Sequence, residues 1–410
     1  MNYTVSETIK SRLDGLVNDG RVNQCLTYFT DHLADAIEEL KELTLCEAPT
    51  FHEHKRAALI ADKLREIGLA DVTVDSVGNA YGLYRGTSEQ YIMIEAHMDT
   101  VFPFQSAVEV KEKDGVLYAP GIRDNTHGVQ MILELARAMT RYNVATNANI
   151  FFVATVCEEG KGGLKGIDTF LNDHPEVSDC VCIDGNDEYC ITYEATGMIT
   201  MGVTFWGKGG HACGDYGKVA NPLHAAARAV EKISNFVLPA EPMTTIAVTN
   251  FHAGNEDGIH AIVDRAEIKM NFRSNGQKEL MELKAHVLKA IEEACEEETR
   301  RWGKDAITAT IQYYIDDQAG TQDIRSEIIQ CTYAAIEQFG LTPSFDEGGS
   351  TNASCPILRG VPAVCLGEGG RTDGIHTVNE WFDPAGTDRA KKVALLTLLL
   401  LAGRPSDGAR

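Results

Sequence analysis

The sequence predicts an α/β fold in which a domain with a largely parallel sheet is interrupted by a smaller inserted α+β domain. Three observations support this fold class: helical and strand patterns alternate from about residue 24 to 185, the pattern changes near residue 193, and the first pattern returns after about residue 316. The length of 410 residues also favours two domains, because a domain has roughly 150 residues. We expect segments 1–194 and 316–410 to form one domain around an insert at 195–315.

In the first segment, helical patterns alternate with short runs of β-forming residues. The helical patterns lie at 25–46, 54–67, 127–142 and 163–171, and the strand patterns at 71–74, 91–95, 150–156 and 180–183. Strands separated by helices are typical of parallel strands joined by crossover connections. The sequence therefore predicts a mostly parallel sheet covered by helices.

The insert has a different order of elements. Strand patterns occupy 199–205, 244–251 and 261–272, a glycine-rich turn lies at 207–210, and helical patterns occupy 222–234 and 277–298. The order strand, helix, two strands, helix, strand is the split βαβ, or ferredoxin-like, arrangement of a two-layer domain. The last segment returns to the first pattern, with a helix at 323–338, a Gly/Ser-rich loop at 348–354, a strand at 361–366 and a helix at 388–402.

Composition and charge exclude several classes of protein. The chain has 37 Lys and Arg against 60 Asp and Glu, a net charge of −23 that disfavours a nucleic-acid partner. The apolar stretch at 393–402 is too short to span a bilayer, and residues 1–4 lack the start of a signal peptide. The 11 cysteines form no CxxC pair and are expected to be reduced. We expect a cytoplasmic protein without a membrane partner.

Candidate metal ligands follow the ends of predicted strands. His97 can bind a metal while Asp99, two residues on and on the same face, hydrogen-bonds the other ring nitrogen. Asp124 precedes a helix, where capping that helix is the alternative role. Asp184 and His376 follow two further strands. Because the carboxyl ends of parallel strands meet at one edge of a sheet, these side chains are expected to lie together.

Two adjacent carboxylates, Glu158 and Glu159, follow the strand at 150–156. Neighbouring ionised carboxylates repel each other unless a cation holds them. A metal ligand beside a general base would explain the pair, since one glutamate binds the metal and the other accepts a proton from water. By contrast, His52, Glu53 and His54 begin a helical pattern and are interpreted as a solvated helix cap rather than a metal site.

Taken together, these motifs closely resemble the M20 family of zinc metallopeptidases and amidohydrolases, which includes peptidase T, carboxypeptidase G2-like enzymes and aminoacylase-1. The resemblance covers about residues 40–405, the insert included. The matching positions, in order along the chain, are His97 to Val101, Gly121, Asp124, Asn125, Glu158 to Gly160, Asp184, Gly209 to Ala212, His376, Thr377 and Glu380.

The resemblance implies two zinc ions per chain, with cobalt or manganese as possible substitutes. Asp124 would bridge the ions, His97 and Asp184 would hold one, and Glu159 and His376 would hold the other. Glu158 would be the general base, and Asp99 would orient His97. The domain formed by 1–194 and 316–410 would then be catalytic.

The resemblance also assigns the insert the roles of a lid and of a dimerisation domain, which implies a homodimer. His211 would stabilise the developing oxyanion, and Arg273 would bind the carboxylate of the substrate. His260 stands where relatives commonly have Asn, and Asn352 replaces a common Asp near the substrate. Neither departure affects an implied metal ligand. The expectation of hydrolysis therefore stands, whereas the identity of the substrate is left undetermined.

The sequence thus predicts a di-zinc hydrolase that cleaves an amide or peptide bond in small peptides, as an exopeptidase or a di- or tripeptidase. The alternative in the same chemistry is an N-acyl-amino-acid deacylase. A third hypothesis, from another class, is a catalytically silent binding protein of M20 type. The presence of Glu158 and of all five implied ligands argues against that third hypothesis.

Overall fold

The structure is a computed structural model. It describes residues 3–107, 109–185, 187–255, 257–302, 307–346 and 348–404. The chain divides into two compact units. The first unit comprises Met1–Ala195 and Thr321–Arg410, and the second unit comprises Thr196–Gly320. The last strand of the second unit, Thr308–Asp317, continues past the boundary expected at residue 315.

The helices are numbered in chain order. They are α1 (Glu7–Val17), α2 (Gly20–Asp31), α3 (Leu33–Leu45), α4 (His54–Ile67), α5 (Thr126–Arg141), α6 (Lys165–Asp173), α7 (Pro222–Ser234), α8 (Gln277–Trp302), α9 (Glu327–Gln338), α10 (Ser354–Leu358) and α11 (Thr387–Ala402). A short 3-10 helix lies at Gly160–Gly162. None of the helices within the described ranges combines the length and the apolar character that crossing a membrane requires.

The strands are likewise numbered along the chain. They are β1 (Ala70–Val74), β2 (Ala80–Tyr84), β3 (Tyr91–His97), β4 (Lys111–Lys113), β5 (Val116–Tyr118), β6 (Asn149–Thr155), β7 (Val177–Gly185), β8 (Cys190–Thr192), β9 (Gly197–Trp206), β10 (Gly210–His211), β11 (Thr244–Ala253), β12 (Ala261–Ile262), β13 (Arg265–Ser274), β14 (Thr308–Asp317), β15 (Ser344–Asp346), β16 (Ala363–Gly367), β17 (Arg371–Asp373) and β18 (Trp381–Asp383).

The first unit is built around a mostly parallel sheet. Over the described residues this sheet has eight strands in the order β1-β2-β6-β3-β7-β16-β8-β15. The central neighbours β6, β3, β7 and β16 are all parallel to one another, whereas β1 and β2 add an antiparallel margin. Buried side chains occupy every position of β6, as expected for a strand covered by helices on both faces. The predicted fold class is confirmed.

The helix expected at 25–46 is in fact two helices, and the helix before it was not predicted. Asp19 caps α2 by accepting from the backbone N–H groups of Arg21 and Val22. His32 interrupts the helix because its backbone leaves the helical region, and its ring stacks on Tyr28 with 4.1 Å between ring centroids. Apolar spacing continues across the break, so periodicity alone could not locate it.

The second unit is a four-stranded antiparallel sheet, over the described residues, with the order β11-β13-β9-β14. Its core lies between this sheet and the helices α7 and α8. The prediction of a single strand at 261–272 is wrong, because the segment forms two strands. Strand β12 pairs with β10, whereas β13 begins at Arg265 and pairs with β9 and β11. The backbone N–H of Gly207 donates to the carbonyl of Asp264 at this break.

A buried ion pair joins α5 to α11 within the first unit. Lys391 and Glu134 are both almost fully buried, and Lys391 Nζ lies 2.5 Å from Glu134 Oε2. Gln130 Nε2 also donates to Glu134 Oε2 at 2.9 Å. Removing one member of such a pair leaves the other charge buried without compensation.

We therefore expect Lys391→Met to lower the free energy of unfolding by about 3 kcal/mol. The midpoint of urea unfolding measures this change. Lys392→Met is the matched control, because Lys392 pairs with Asp388 at the surface and should contribute less than about 1 kcal/mol. Equal midpoints for the two variants would contradict the expectation, and adding Glu134→Leu to Lys391→Met should recover most of the loss.

Candidate metal centre

The carboxyl ends of neighbouring parallel strands bring the predicted ligands together in the first unit. His97 ends β3, Asp184 lies near the end of β7, and Glu158 and Glu159 follow β6. These strands are adjacent in the order β6-β3-β7, so their ends share one edge of the sheet. Asp124 lies just before α5. His376 lies on the loop between β17 and β18, two strands of a small separate sheet.

His97 lies at the centre of one half of the cluster. Its Nε2 is 3.2 Å from Asp124 Oδ1, 3.6 Å from Asp184 Oδ1 and 4.0 Å from Glu158 Oε2. The imidazole is buried, so these three carboxylates surround a nitrogen that has little access to water. One histidine with several carboxylates is a donor set suited to a borderline or hard divalent metal.

His376 forms the other half of the cluster. Its Nε2 is 3.0 Å from Asp124 Oδ2 and 2.9 Å from Glu159 Oε1. Asp124 therefore directs one carboxylate oxygen to each histidine, which places it between the two halves. Among the described residues, ligand atoms of His97, Asp124 and Glu159 all lie within 4.8 Å of one another, as a metal-binding group requires.

Burial and like charge raise the pKa values of two carboxylates in the cluster. Burial raises the pKa of Glu158 well above its usual value, and the charges of Asp184 and Glu159 raise it further, although His97 opposes them. Burial likewise raises the pKa of Asp184 against the opposing effect of His97. The cluster thus holds several carboxylates whose charged forms burial and like charge both disfavour.

The neighbouring carboxylates raise the pKa values of the two histidines. Burial would lower the pKa of His97, but the charges of Glu158 and Asp184 and a hydrogen bond to Asp124 raise it well above its usual value. Hydrogen bonds to Asp124 and Glu159 raise the pKa of His376 to about 10. Burial would raise the pKa of Asp124, but hydrogen bonds from both histidines outweigh it and hold that pKa well below its usual value.

The carboxylate of Asp99 makes its shorter contacts with backbone N–H groups rather than with the ring of His97. His97 Nδ1 lies 3.1 Å from the carbonyl oxygen of Asp99 but 3.5 Å from its carboxylate. The carboxylate accepts from the backbone N–H groups of Glu158 and Glu159, each at 3.0 Å, and from Thr50 Oγ1 at 2.9 Å. Asp99 thus fixes the turn that positions the two glutamates.

Glu380 fixes a ligand loop from outside the cluster, a role that sequence reasoning did not assign to it although it is one of the positions that carry the family resemblance. Glu380 is buried and accepts from the backbone N–H of Gly121 at 2.7 Å, of Arg123 at 2.8 Å and of Asp124 at 3.3 Å. Burial raises the pKa of Glu380 to about 7. Its place four residues after His376 was the available signal, because a fixed spacing from a ligand suggests a supporting role.

Asn352 does not face an open surface. The side chain is buried, and its Nδ2 donates to Glu95 Oε2 at 2.9 Å and to Thr155 Oγ1 at 2.8 Å. Burial raises the pKa of Glu95 to about 7. Asn352 therefore joins the loop before α10 to the central strands β3 and β6.

The remaining predicted residues lie in the second unit. His211 in β10 is exposed, and its Nδ1 accepts from the backbone N–H of Cys213 at 3.2 Å and of Gly214 at 3.1 Å. The carbonyl of His260 accepts from Ala212 at 2.8 Å, so the β10-β12 ladder brings the segments of His211 and His260 together. Arg273 near the end of β13 donates through Nε to Asn271 Oδ1 at 3.2 Å.

The pKa of His376 is raised to about 10 and that of His97 is raised above its usual value, so we expect both imidazoles to hold a proton more tightly in the metal-free chain than a free histidine does. A metal ion binds the deprotonated nitrogen, so we expect binding to release about one proton per histidine and affinity to increase with pH towards the pKa of His376. Calorimetric titration of zinc into the metal-free protein in two buffers of different ionisation enthalpy measures the release. His376→Ala should reduce it by about one proton, and identical heats in both buffers would contradict the expectation.

Comparisons with known proteins show what this chain is similar to. A succinyl-diaminopimelate desuccinylase of Psychrobacter arcticus is 25% identical over 232 residues, which cover 49% of this chain and 53% of that enzyme. The match thus spans about half the length of that relative. Among solved structures, the aminopeptidase PepT of Bacillus cereus is 21% identical with a TM-score of 0.76, and the match covers 90% of this chain and 98% of PepT.

A tripeptidase of Staphylococcus aureus is similar to the same degree. It is 22% identical with a TM-score of 0.75, and the match covers 90% of this chain and 98% of the tripeptidase. At these identities the solved structures establish the fold alone. The family follows from the sequence, because residues 93–401 match Peptidase family M20/M25/M40, and this chain is therefore a member of that family.

Proposed function

We propose that the chain is a di-zinc hydrolase that cleaves an amide or peptide bond in small peptides, as an exopeptidase or a di- or tripeptidase. The observation that supports this proposal best is the position of Asp124 between the two histidines, with Glu158 beside them. A hydrolase needs water activation and a base in one place, and with metal bound this cluster would supply both.

The cluster fits two metal ions by its donor set and by its excess of negative charge. When bound, the metals would polarise the scissile carbonyl and lower the pKa of a coordinated water. Asp124 would bind both ions. His97 and Asp184 would hold one of the ions, and Glu159 and His376 would hold the other. Cobalt or manganese would fit the same oxygen and nitrogen donors.

Glu158 would act as the general base and then pass the proton to the leaving amine. Its side chain is not held by a direct ion pair to a lysine or arginine among the described residues, and its carboxylate lies 4.0 Å from His97 Nε2. Burial raises the pKa of Glu158 well above its usual value, which favours the uptake of a proton by this carboxylate. The backbone of Glu158 is fixed by Asp99, so the base has a defined starting position.

His211 and Arg273 would serve the substrate. Because His211 Nδ1 accepts two backbone N–H groups, the ring carries its proton on Nε2, the arrangement needed to donate to an oxyanion. Arg273 would bind a substrate carboxylate, and its bond to Asn271 fixes the plane of the guanidinium group. His260 and Asn352 remain proposed contributors to substrate selection.

We extend the proposal to the location, the oligomeric state and the partners of the enzyme. A cytoplasmic homodimer formed through the second unit, with its roles as lid and dimerisation domain, agrees with the family resemblance. The net charge of −23 disfavours nucleic acid as a partner.

A substrate panel distinguishes the hypotheses. The metal-loaded protein is incubated with unblocked dipeptides and tripeptides, with N-acetyl amino acids and with N-succinyl amino acids, and released amines are measured. We expect the unblocked peptides to be cleaved fastest. Cleavage of only the N-acyl compounds would favour the deacylase, and cleavage of none would favour a binding protein.

Replacing the base should separate catalysis from metal binding. We expect Glu158→Gln and Glu158→Ala to retain about two metal ions per chain and to lower kcat by roughly 1000-fold, because general-base catalysis contributes about that much. Metal analysis and steady-state kinetics measure the two effects. Glu176→Gln is the control, since Glu176 is exposed and pairs only with His174 in the described structure. Turnover retained in Glu158→Gln would disprove the assignment of the base.

A further inference from the structure

A second buried carboxylate, outside the cluster, holds the turn that precedes the proposed base. Glu53 is 6% exposed and lies immediately before α4. Its Oε1 accepts from the backbone N–H of Phe51 at 3.0 Å and from that of Cys157 at 3.1 Å, and Cys157 Sγ lies 3.5 Å from the same oxygen. The interpretation of Glu53 as part of a solvated helix cap is therefore wrong.

Glu53 does not serve the helix that follows it. Although it occupies the N-cap position of α4, its side chain makes no capping hydrogen bond to that helix. The carboxylate instead faces the end of β6, 104 residues further along the chain. The Glu53 carboxylate therefore binds the backbone after β6 instead of capping α4.

Both residues bound by Glu53 have an unusual backbone. Phe51 has φ of 73° and Cys157 has φ of 56°, in the left-handed region that residues with a side chain seldom adopt. Such a conformation costs on the order of 1–3 kcal/mol and persists only where surrounding contacts determine it. One oxygen of Glu53 supplies such a contact to both residues.

The turn at Cys157 is also confined on its other side. A Cβ atom on Gly162 would lie 2.4 Å from the carbonyl oxygen of Cys157, so the 3-10 helix approaches this turn as closely as a glycine allows. The backbone of Cys157 is thus fixed between Glu53 and Gly162.

Three successive backbone N–H groups in this turn donate to carboxylates. Cys157 donates to Glu53, Glu158 donates to Asp99 Oδ1, and Glu159 donates to Asp99 Oδ2. Asp99 fixes the peptides of the two glutamates, whereas Glu53 fixes the residue at which the chain turns. The direction in which the Glu158 side chain leaves the backbone depends on that residue.

We propose that Glu53 is a positioning residue for Glu158, acting through the left-handed backbone of Cys157. This inference rests on the proposed function, because it assumes that Glu158 is the base. Loss of the contact allows Cys157 to leave the left-handed region, and the Glu158 carboxylate moves away from its reacting position. A displacement of about 1 Å can cost 100-fold in rate.

The test compares Glu53→Ala, Glu53→Gln and Glu53→Asp in the metal-loaded protein. Glutamine keeps an acceptor oxygen at the same place, whereas aspartate keeps the charge but withdraws the oxygen by one bond. We expect Glu53→Ala and Glu53→Asp to lower kcat about 10- to 100-fold with KM changed less than about threefold, and Glu53→Gln to stay within about threefold of the original chain. Metal content should not change.

Amide hydrogen exchange of the peptide around residue 157 gives a measurement independent of turnover. Exchange should accelerate in Glu53→Ala and Glu53→Asp and stay slow in Glu53→Gln, with or without metal. Asp19→Ala is the matched control, because Asp19 also accepts two backbone N–H groups but serves α2. That variant should lose stability without a change in kcat or in exchange at residue 157.

The outcomes separate this inference from the proposed function. An unchanged kcat in Glu53→Asp, or equal impairment of Glu53→Gln and Glu53→Ala, would overturn the positioning role. An active Glu158→Gln would instead overturn the assignment of the base, whatever Glu53 does. If Glu53→Ala fails to fold, the comparison of Glu53→Asp with Glu53→Gln decides the question.

Discussion

The gathering of carboxylates at one edge of the parallel sheet is the constraint on which the rest of the first unit depends. Strands β3, β6 and β7 end side by side, and their ends place Asp184, Glu158 and Glu159 around His97. Burial makes each ionised carboxylate costly, and mutual repulsion adds to that cost. Two histidines offset part of it. Bound divalent cations would offset the remainder, so a small part of the net charge of −23 has a specific purpose.

Backbone N–H groups provide the second compensation, and they also give the centre its shape. Asp99, Glu53 and Glu380 each accept from at least two backbone N–H groups of the segments that bear the ligands or adjoin them. Hydrogen bonds from backbone N–H groups to an ionised carboxylate are stronger than those between neutral groups, so each of these carboxylates helps to fix the loop that it binds. The ligand loops are irregular in backbone conformation, yet their positions are determined by buried anions rather than by regular secondary structure.

Much of this arrangement could be predicted from sequence, for identifiable reasons. Strand periodicity and strand-end position located His97, Asp184 and the Glu158 pair, because these signals are local. Cys157 lies 104 residues from Glu53, and the partners of Glu380 lie more than 250 residues from it, so no local pattern reveals these contacts. The break at His32 was hidden because apolar spacing continues through it. The separation of β12 from β13 depends on pairing with β10, which is a tertiary contact.

The two histidines of the centre differ sharply in exposure. His97 is buried beneath the sheet edge, whereas the side chain of His376 is 53% exposed and lies on a loop between two short strands. His376 is therefore the more accessible of the two to solvent, and in the proposed two-metal centre an ion held by His97 would be the more deeply buried one. In the proposed two-metal centre, a chelator would therefore remove the more exposed ion before the buried one.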